Sequence, residues 1–322
     1  MNRRYLSNLK TAVYRKPRDE IRRLKAWGAG AYFNLSRWKQ QMDAAAGQLP
    51  RLRFDGEKSI EVWFLTGRDF WYQTAFCAWS LAHHSGRNVV LNIIDDGTLS
   101  AVHEAGLRRL FPEGVTLSNE DVVKRLDERL PDSQFPWLRK RWTDYVNIRK
   151  LIDIHLGQDG AKLVMDSDML FFAKPDQLLS WYDNCLAQSN DSEVCLMTDC
   201  VESYGYSRDL MEKLAGTAIP SLLNVGVCGM RSEQIGWAEL EVWCRELHEN
   251  EGTCYYLEQA LVAMMAARLP RRVLDASDYI TCPTAEQVDA GAGVLQHYVA
   301  NSKPHYFGNA WKQVTKIAED YR

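Results

Sequence analysis

An open α/β fold, built on a mainly parallel sheet flanked by helices, is what the sequence predicts, and three observations predict it. From Ser59 onward, apolar runs of strand length alternate with longer stretches of helical period. Turn residues close the early strands, Thr66-Gly67 after the first and Asp95-Asp96-Gly97 after the second. Apolar residues make up 46% of the 322 and charged residues 25%, a balance that fills a sizeable core.

The elements follow in order. Residues 3–46 are expected to be helical in pieces, because Tyr5, Leu9, Ala12, Val13, Ile21 and Leu24 recur at helical spacing; Gly28-Ala29-Gly30 marks a break. Strands are expected at 60–65 and 89–94, each followed by a helix, near 70–84 and 99–110. Helices are expected over 120–130 and 144–156, then a buried strand at 162–165 that ends on acids. Two further strands, 194–197 and 222–227, are separated by a long irregular loop, and helices fill about 233–249 and 255–267. In such a sheet ligands gather beyond the carboxyl ends of the strands.

Charge divides the chain in two. Residues 1–58 carry 14 Lys or Arg against five acids, so they form a basic helical N-terminal extension, and residues 59–322 form the α/β domain. A basic amphipathic extension is either an arm docked on its own domain or a peripheral contact with an anionic membrane. The net charge of -3 gives no support to nucleic-acid binding. Eight cysteines without a C-x-x-C pair, several of them in apolar runs, point to a reducing compartment. With no signal-like or membrane-spanning run, the expected location is cytoplasmic, with peripheral attachment to the inner membrane face if the extension binds lipid.

The sharpest local feature is Asp166-Ser167-Asp168, set between Lys162-Leu163-Val164-Met165 and Met169-Leu170-Phe171-Phe172. Burying unpaired carboxylates costs on the order of several kcal/mol each, so two of them at a strand end call for a cation or strong donors. Mg²⁺ or Mn²⁺ suits such oxygen ligands. The plainer reading is a strand-ending turn with solvated acids. A haloacid-dehalogenase-like phosphatase also uses D-x-D, but on its first strand and with Thr or Val soon after, unlike Met169-Leu170-Phe171 here. His297 alone is an ordinary structural histidine; it gains weight beside Lys303-Pro304, about 130 residues after the D-x-D. Asp95 and Asp96 read as a turn more readily than as a nucleotide contact.

Taken in order, the landmarks from Glu61 to Lys312 resemble the GT-A nucleotide-diphospho-sugar glycosyltransferases, with a Rossmann-like sheet. Within that fold they are most similar to the family-8 group that includes glycogenin and lipopolysaccharide galactosyltransferases. The opening strand, the Thr66-Gly67-Arg68-Asp69 turn, Arg149-Lys150-Leu151, the D-x-D and His297…Lys303-Pro304 carry the resemblance. It implies that Asp166, Asp168 and His297 bind Mn²⁺ or Mg²⁺, and that Lys303 binds the diphosphate. It places Thr66 at the nucleotide, Lys150 near the donor, and Asn224 and Asp199 at donor-sugar hydroxyls, although each of these last two reads equally well as a loop cap. The same resemblance implies that Gln259 lies near the reacting face and that transfer proceeds with retention. The chain departs from the family at Asn224-Val225-Gly226, where Asn-Ser-Gly is frequent, and at Glu258-Gln259, where Asp-Gln is.

The function so implied is metal-dependent transfer of a hexose from a UDP-sugar to a glycan, lipid-linked or other hydroxyl acceptor. The competing readings are a nucleotidyltransferase or phosphatase, or a sugar-nucleotide-binding protein without catalysis. A nucleotidyltransferase carries a Gly-rich basic loop after its first strand, which Thr66-Gly67-Arg68-Asp69-Phe70 is not.

Overall fold

The structure is a computed structural model that describes residues 16–56, 58–187 and 193–322, with side chains from Leu24 onward. The expected helical positions Tyr5 to Val13 lie outside the described residues. The first helix, α1 (Lys16–Ala46), breaks at Gly28, whose φ of 78° and ψ of 157° are not helical. A left-handed φ suits glycine, which has no β-carbon to clash, so the break falls where the sequence places it. Beyond the break, Leu35, Trp38, Met42 and Ala45 recur at helical spacing and pack on the domain, with Met42 and Ala46 fully buried. The Arg109 guanidinium donates to the carbonyls of Leu49 (2.8 Å) and Gly47 (3.1 Å) and pins the exit of the helix. This half of the extension is docked on its own domain.

Next come β1 (Ser59–Thr66), α2 (Trp71–Ser85), β2 (Asn88–Asp95), α3 (Ala101–Leu110) and β3 (Thr116–Leu117). After α4 (Asn119–Arg129), α5 (Pro136–Asp144) and α6 (Arg149–His155) the chain enters β4 (Ala161–Met165), which lies parallel to β1. The single helix expected over 144–156 is instead a turn of 3-10 helix followed by α6, because Tyr145 adopts an extended conformation (φ -142°, ψ 100°) and ends α5. Then follow β5 (Met169–Phe171), α7 (Asp176–Ala187), β6 (Val194–Thr198), α8 (Arg208–Ala215) and β7 (Leu223–Arg231). The chain ends with α9 (Trp237–Glu251), α10 (Leu257–Arg268), β8 (Arg271–Val273), β9 (Tyr279–Thr281), α11 (Ala285–Asp289), β10 (Leu295–His297), α12 (Lys303–His305) and α13 (Trp311–Glu319).

Seven strands form the central sheet in the order β3-β2-β1-β4-β7-β6-β8. The pairs β1-β2, β1-β4, β2-β3 and β6-β8 are parallel, whereas β7 runs antiparallel to both β4 and β6. Alternation along β1 separates two cores. Ile60, Val62 and Phe64 face the layer that holds α2, α7 and α13, while Trp63 faces α4, α6, α9 and α10. A second sheet, β5-β10-β9, has three-residue strands too short to announce themselves by period. This small sheet positions the histidine: β10 pairs antiparallel with β5 and aligns His297 with Met169, the residue after Asp168.

Candidate metal and diphosphate site

Two sheets meet at the D-x-D. Asp166 leaves β4 with its N–H donated to the Gly226 carbonyl of β7 (2.8 Å). Asp168 enters β5 with its own carbonyl accepting the Tyr298 N–H (2.9 Å), which fixes the segment carrying His297. The His297 Nε2 lies 3.3 Å from Asp168 Oδ1 and 3.6 Å from Asp166 Oδ2. One ligand atom from each of the three residues falls within 4.8 Å of the others.

The tautomer of His297 follows from its neighbours. Asn224 Oδ1 accepts the Gly226 N–H (2.8 Å), and Asn224 Nδ2 donates to Asp199 Oδ2 (3.1 Å), which fixes the orientation of the amide. His297 Nδ1, 3.2 Å from that same Oδ1, is therefore the protonated nitrogen. In the neutral imidazole Nε2 then carries a lone pair, buried and without a hydrogen-bond partner, aimed at two carboxylate oxygens. A lone pair facing two anions repels them unless a cation lies between. The mixed oxygen and nitrogen donor set fits a divalent cation, and Asn224 supplies the outer contact that orients a ligating imidazole.

Charge around the triad is arranged in pairs. Lys150 Nζ lies 2.7 Å from Asp166 Oδ1 and 3.1 Å from Glu258 Oε2, and Lys303 Nζ lies 2.5 Å from Asp168 Oδ2. Burial by itself raises the Asp168 carboxyl, but the Lys303 ammonium outweighs it and holds the group well below the ordinary carboxylate range. Burial is also the main influence on Glu258, whose carboxyl is pushed up to about 7 despite Lys150. Burial works against the charge on Lys150 too, yet Asp166 and Glu258 prevail and raise its pKa.

The fold is that of the GT-A glycosyltransferases. Mouse xyloside xylosyltransferase 1, in its apo form, superposes with a TM-score of 0.50 at 14% identity, over 76% of this chain and 99% of the mouse chain. The galactosyltransferase LgtC, in complex with donor and acceptor sugar analogues, superposes with a TM-score of 0.52 at 12% identity, over 81% of this chain and 96% of LgtC. No protein-family model matches the sequence, and no curated protein matches it.

On this GT-A frame the remaining sequence-identified residues fall in two groups. Asp199, Asn224 and Gln259 form one buried network, in which Asp199 Oδ2 accepts from both Asn224 Nδ2 and Gln259 Nε2, each at 3.1 Å. A register shift between Leu196 and Met197 brings Met197 opposite Asn224 and bulges β7 at this point, a device that re-aims side chains at a sheet edge. Thr66 is fully buried, and its hydroxyl accepts from Thr74, so only its backbone lies at the strand end. Thr74 in turn bonds Ser167 (2.8 Å), a hydroxyl chain that braces the middle of the D-x-D and that no spacing in the sequence reveals. Arg149 points away to Asp153 (2.7 Å) and Asn119 (3.1 Å), which leaves Lys150 as the one basic side chain of that helix on the D-x-D. Asp95 and Asp96 accept from Gly97, Thr98 and Leu99 and are the turn the sequence indicates.

Proposed function

We propose that this chain transfers a hexose from a nucleotide-diphosphate sugar, a UDP-sugar, to a hydroxyl of a glycan or lipid-linked acceptor, with retention of configuration. The observation that carries this reading is the convergence of Asp166, Asp168 and the unpartnered Nε2 of His297 on one point at the sheet edge. The GT-A fold supports it, as do its structural neighbours, a xylosyltransferase and a galactosyltransferase.

Asp166, Asp168 and His297 would hold the divalent ion, which when bound offsets charge on the departing diphosphate as a Lewis acid. Lys303 adds a point charge on the same side, worth a few kcal/mol where charge develops. Asp199 and Asn224 orient hydroxyls of the donor sugar. Gln259, its amide nitrogen held by Asp199, faces the anomeric centre but is a poor nucleophile. The acceptor oxygen therefore bonds to the anomeric carbon on the face from which the diphosphate leaves. The anomeric C–O bond to phosphate breaks, and the acceptor proton passes to the departing diphosphate oxygen.

Release of UDP from radiolabelled UDP-sugars tests this directly. Release that requires Mn²⁺ and vanishes in Asp168→Asn is the expected result; no release from any donor with Mn²⁺ present would overturn it. Proton NMR of the first-formed product checks retention.

A further inference from the structure

Each aspartate of the D-x-D is shared between a lysine and the histidine. Asp166 presents Oδ1 to Lys150 and Oδ2 to His297, and Asp168 presents Oδ2 to Lys303 and Oδ1 to His297. Two ammonium groups thus stand against the same carboxylates that would ligate a dication, and their charge opposes its entry.

The two lysines differ in freedom. Lys150 projects from α6, has a side chain only 8% exposed, and is gripped by Glu258 as well as Asp166. Lys303 keeps 34% of its side chain exposed, and its ammonium has one hydrogen-bond acceptor among the described residues, Asp168. Its backbone is nonetheless well held. Ala300 takes a left-handed φ of 45°, Ser302 N–H closes a turn on the Val299 carbonyl, and Pro304 and Tyr306 are buried. A long flexible stem on a fixed backbone can exchange one anion for another by side-chain rotation alone.

We propose that Lys303 is a latch on the metal site, paired with Asp168 until a diphosphate draws its ammonium away, so that divalent cation and nucleotide diphosphate bind as one unit. The inference rests on the glycosyltransferase reading, since it needs a diphosphate to arrive beside the cation. Charge complementarity gives it direction. A cation alone must share Asp168 with an ammonium, whereas a diphosphate offers that ammonium a second partner and leaves both Asp168 oxygens to the cation. By linkage the diphosphate tightens the cation by the same factor that the cation tightens the diphosphate. Without the latch, the cation alone binds more tightly and this factor shrinks.

Mn²⁺ binding to the full chain, followed by the electron paramagnetic resonance of the free ion, tests the latch with Mn²⁺ alone and with UDP as the diphosphate probe. Lys303→Met is expected to bind Mn²⁺ alone more tightly than the wild type, by about 5- to 150-fold, the usual range of coupling between two sites. UDP should then enhance Mn²⁺ binding less in the variant than in the wild type. Lys303→Arg keeps the charge and should stay as weak as the wild type toward Mn²⁺ alone. If Lys303→Met is no tighter for Mn²⁺ alone while both proteins bind Mn²⁺ with UDP, the latch is overturned and the glycosyltransferase reading stands. If Lys303→Arg behaves like Lys303→Met, charge is not the agent and the latch is again overturned. If no protein binds Mn²⁺ with or without UDP, both inferences fail together.

Discussion

Gly226 lies directly against the ring of His297: a β-carbon at that position would come within 2.4 Å of Cε1 and 2.5 Å of Nδ1. It would also crowd Asn224 Oδ1 at 2.9 Å, the atom that fixes the imidazole tautomer. The glycine is therefore a matter of close approach between β7 and β10, since its φ is not in the left-handed region.

Gly226→Ala should consequently push the His297 ring out of register with the two aspartates. Overpacking of this kind costs about 1–3 kcal/mol of stability. Misplacement of a functional group by about 1 Å lowers a rate on the order of 10²-fold. The expected outcome is a folded protein whose Mn²⁺-dependent UDP release falls by that factor, measured beside a thermal unfolding curve. Activity within a few-fold of the wild type would show that the ring has another place to go.

The second half of α1 gives a prediction about stability. Met42 is fully buried against the core that contains α2 and α13. Met42→Ala should cost about 2–5 kcal/mol in denaturant unfolding, as for other large-to-small core changes. A change below about 1 kcal/mol would mean that the helix is an appendage and contributes little to the domain.

How much of this site the sequence discloses depends on the range of each signal. The acids of the D-x-D stand out because apolar strands flank them, and the break at Gly28 because glycine ends a helical period. His297 is legible only through its resemblance to a motif. The strand that carries it, Leu295–His297, is too short for any period, and its partner strand Met169–Phe171 lies far upstream in the chain. The antiparallel course of β7 is hidden for another reason. A strand buried along nearly its whole length reads as a plain apolar run in either direction. Gly226 does leave a local trace, a glycine inside a strand pattern, which marks close backbone approach without saying what approaches. The Thr66-Thr74-Ser167 hydroxyl chain leaves none, since each residue is unremarkable in its own segment.

Glu258 sets a pH dependence. Its carboxyl, ordinarily near 4.5, is raised to about 7, chiefly by burial. A carboxyl that holds its proton more tightly when folded contributes stability that is complete below its unfolded pKa and is lost as pH rises through the folded one. The window is therefore from about 4.5 to about 7, and stability should fall across it as pH increases. A shift of that size corresponds to about 3 kcal/mol. Urea unfolding in chelator at pH 5 and pH 8 should show the wild type losing more stability between the two than Glu258→Gln does. Equal losses in the two proteins would mean that Glu258 does not set the dependence.

Lys150 makes the strongest demand on the network, because among the described residues it alone bridges Asp166 and Glu258. Lys150→Met leaves two carboxylates without their common ammonium, and breaking a buried ion pair from one side costs about 3–5 kcal/mol. The cost should itself depend on pH. At pH 5 Glu258 is already protonated and only Asp166, whose side chain is 28% exposed, is left unpaired. At pH 8 Glu258, deprived with Lys150 of the charge that lowers its pKa, must either hold its proton far above its unfolded pKa or be buried charged, and the full penalty should appear. Adding Glu258→Gln to Lys150→Met removes one of the stranded charges, so the double variant should be more stable than Lys150→Met alone at pH 8. Contacting residues in such cycles couple by about 0.5–3 kcal/mol. Additive effects at pH 8 would mean that Lys150 serves Asp166 only, with the Glu258 contact incidental to it.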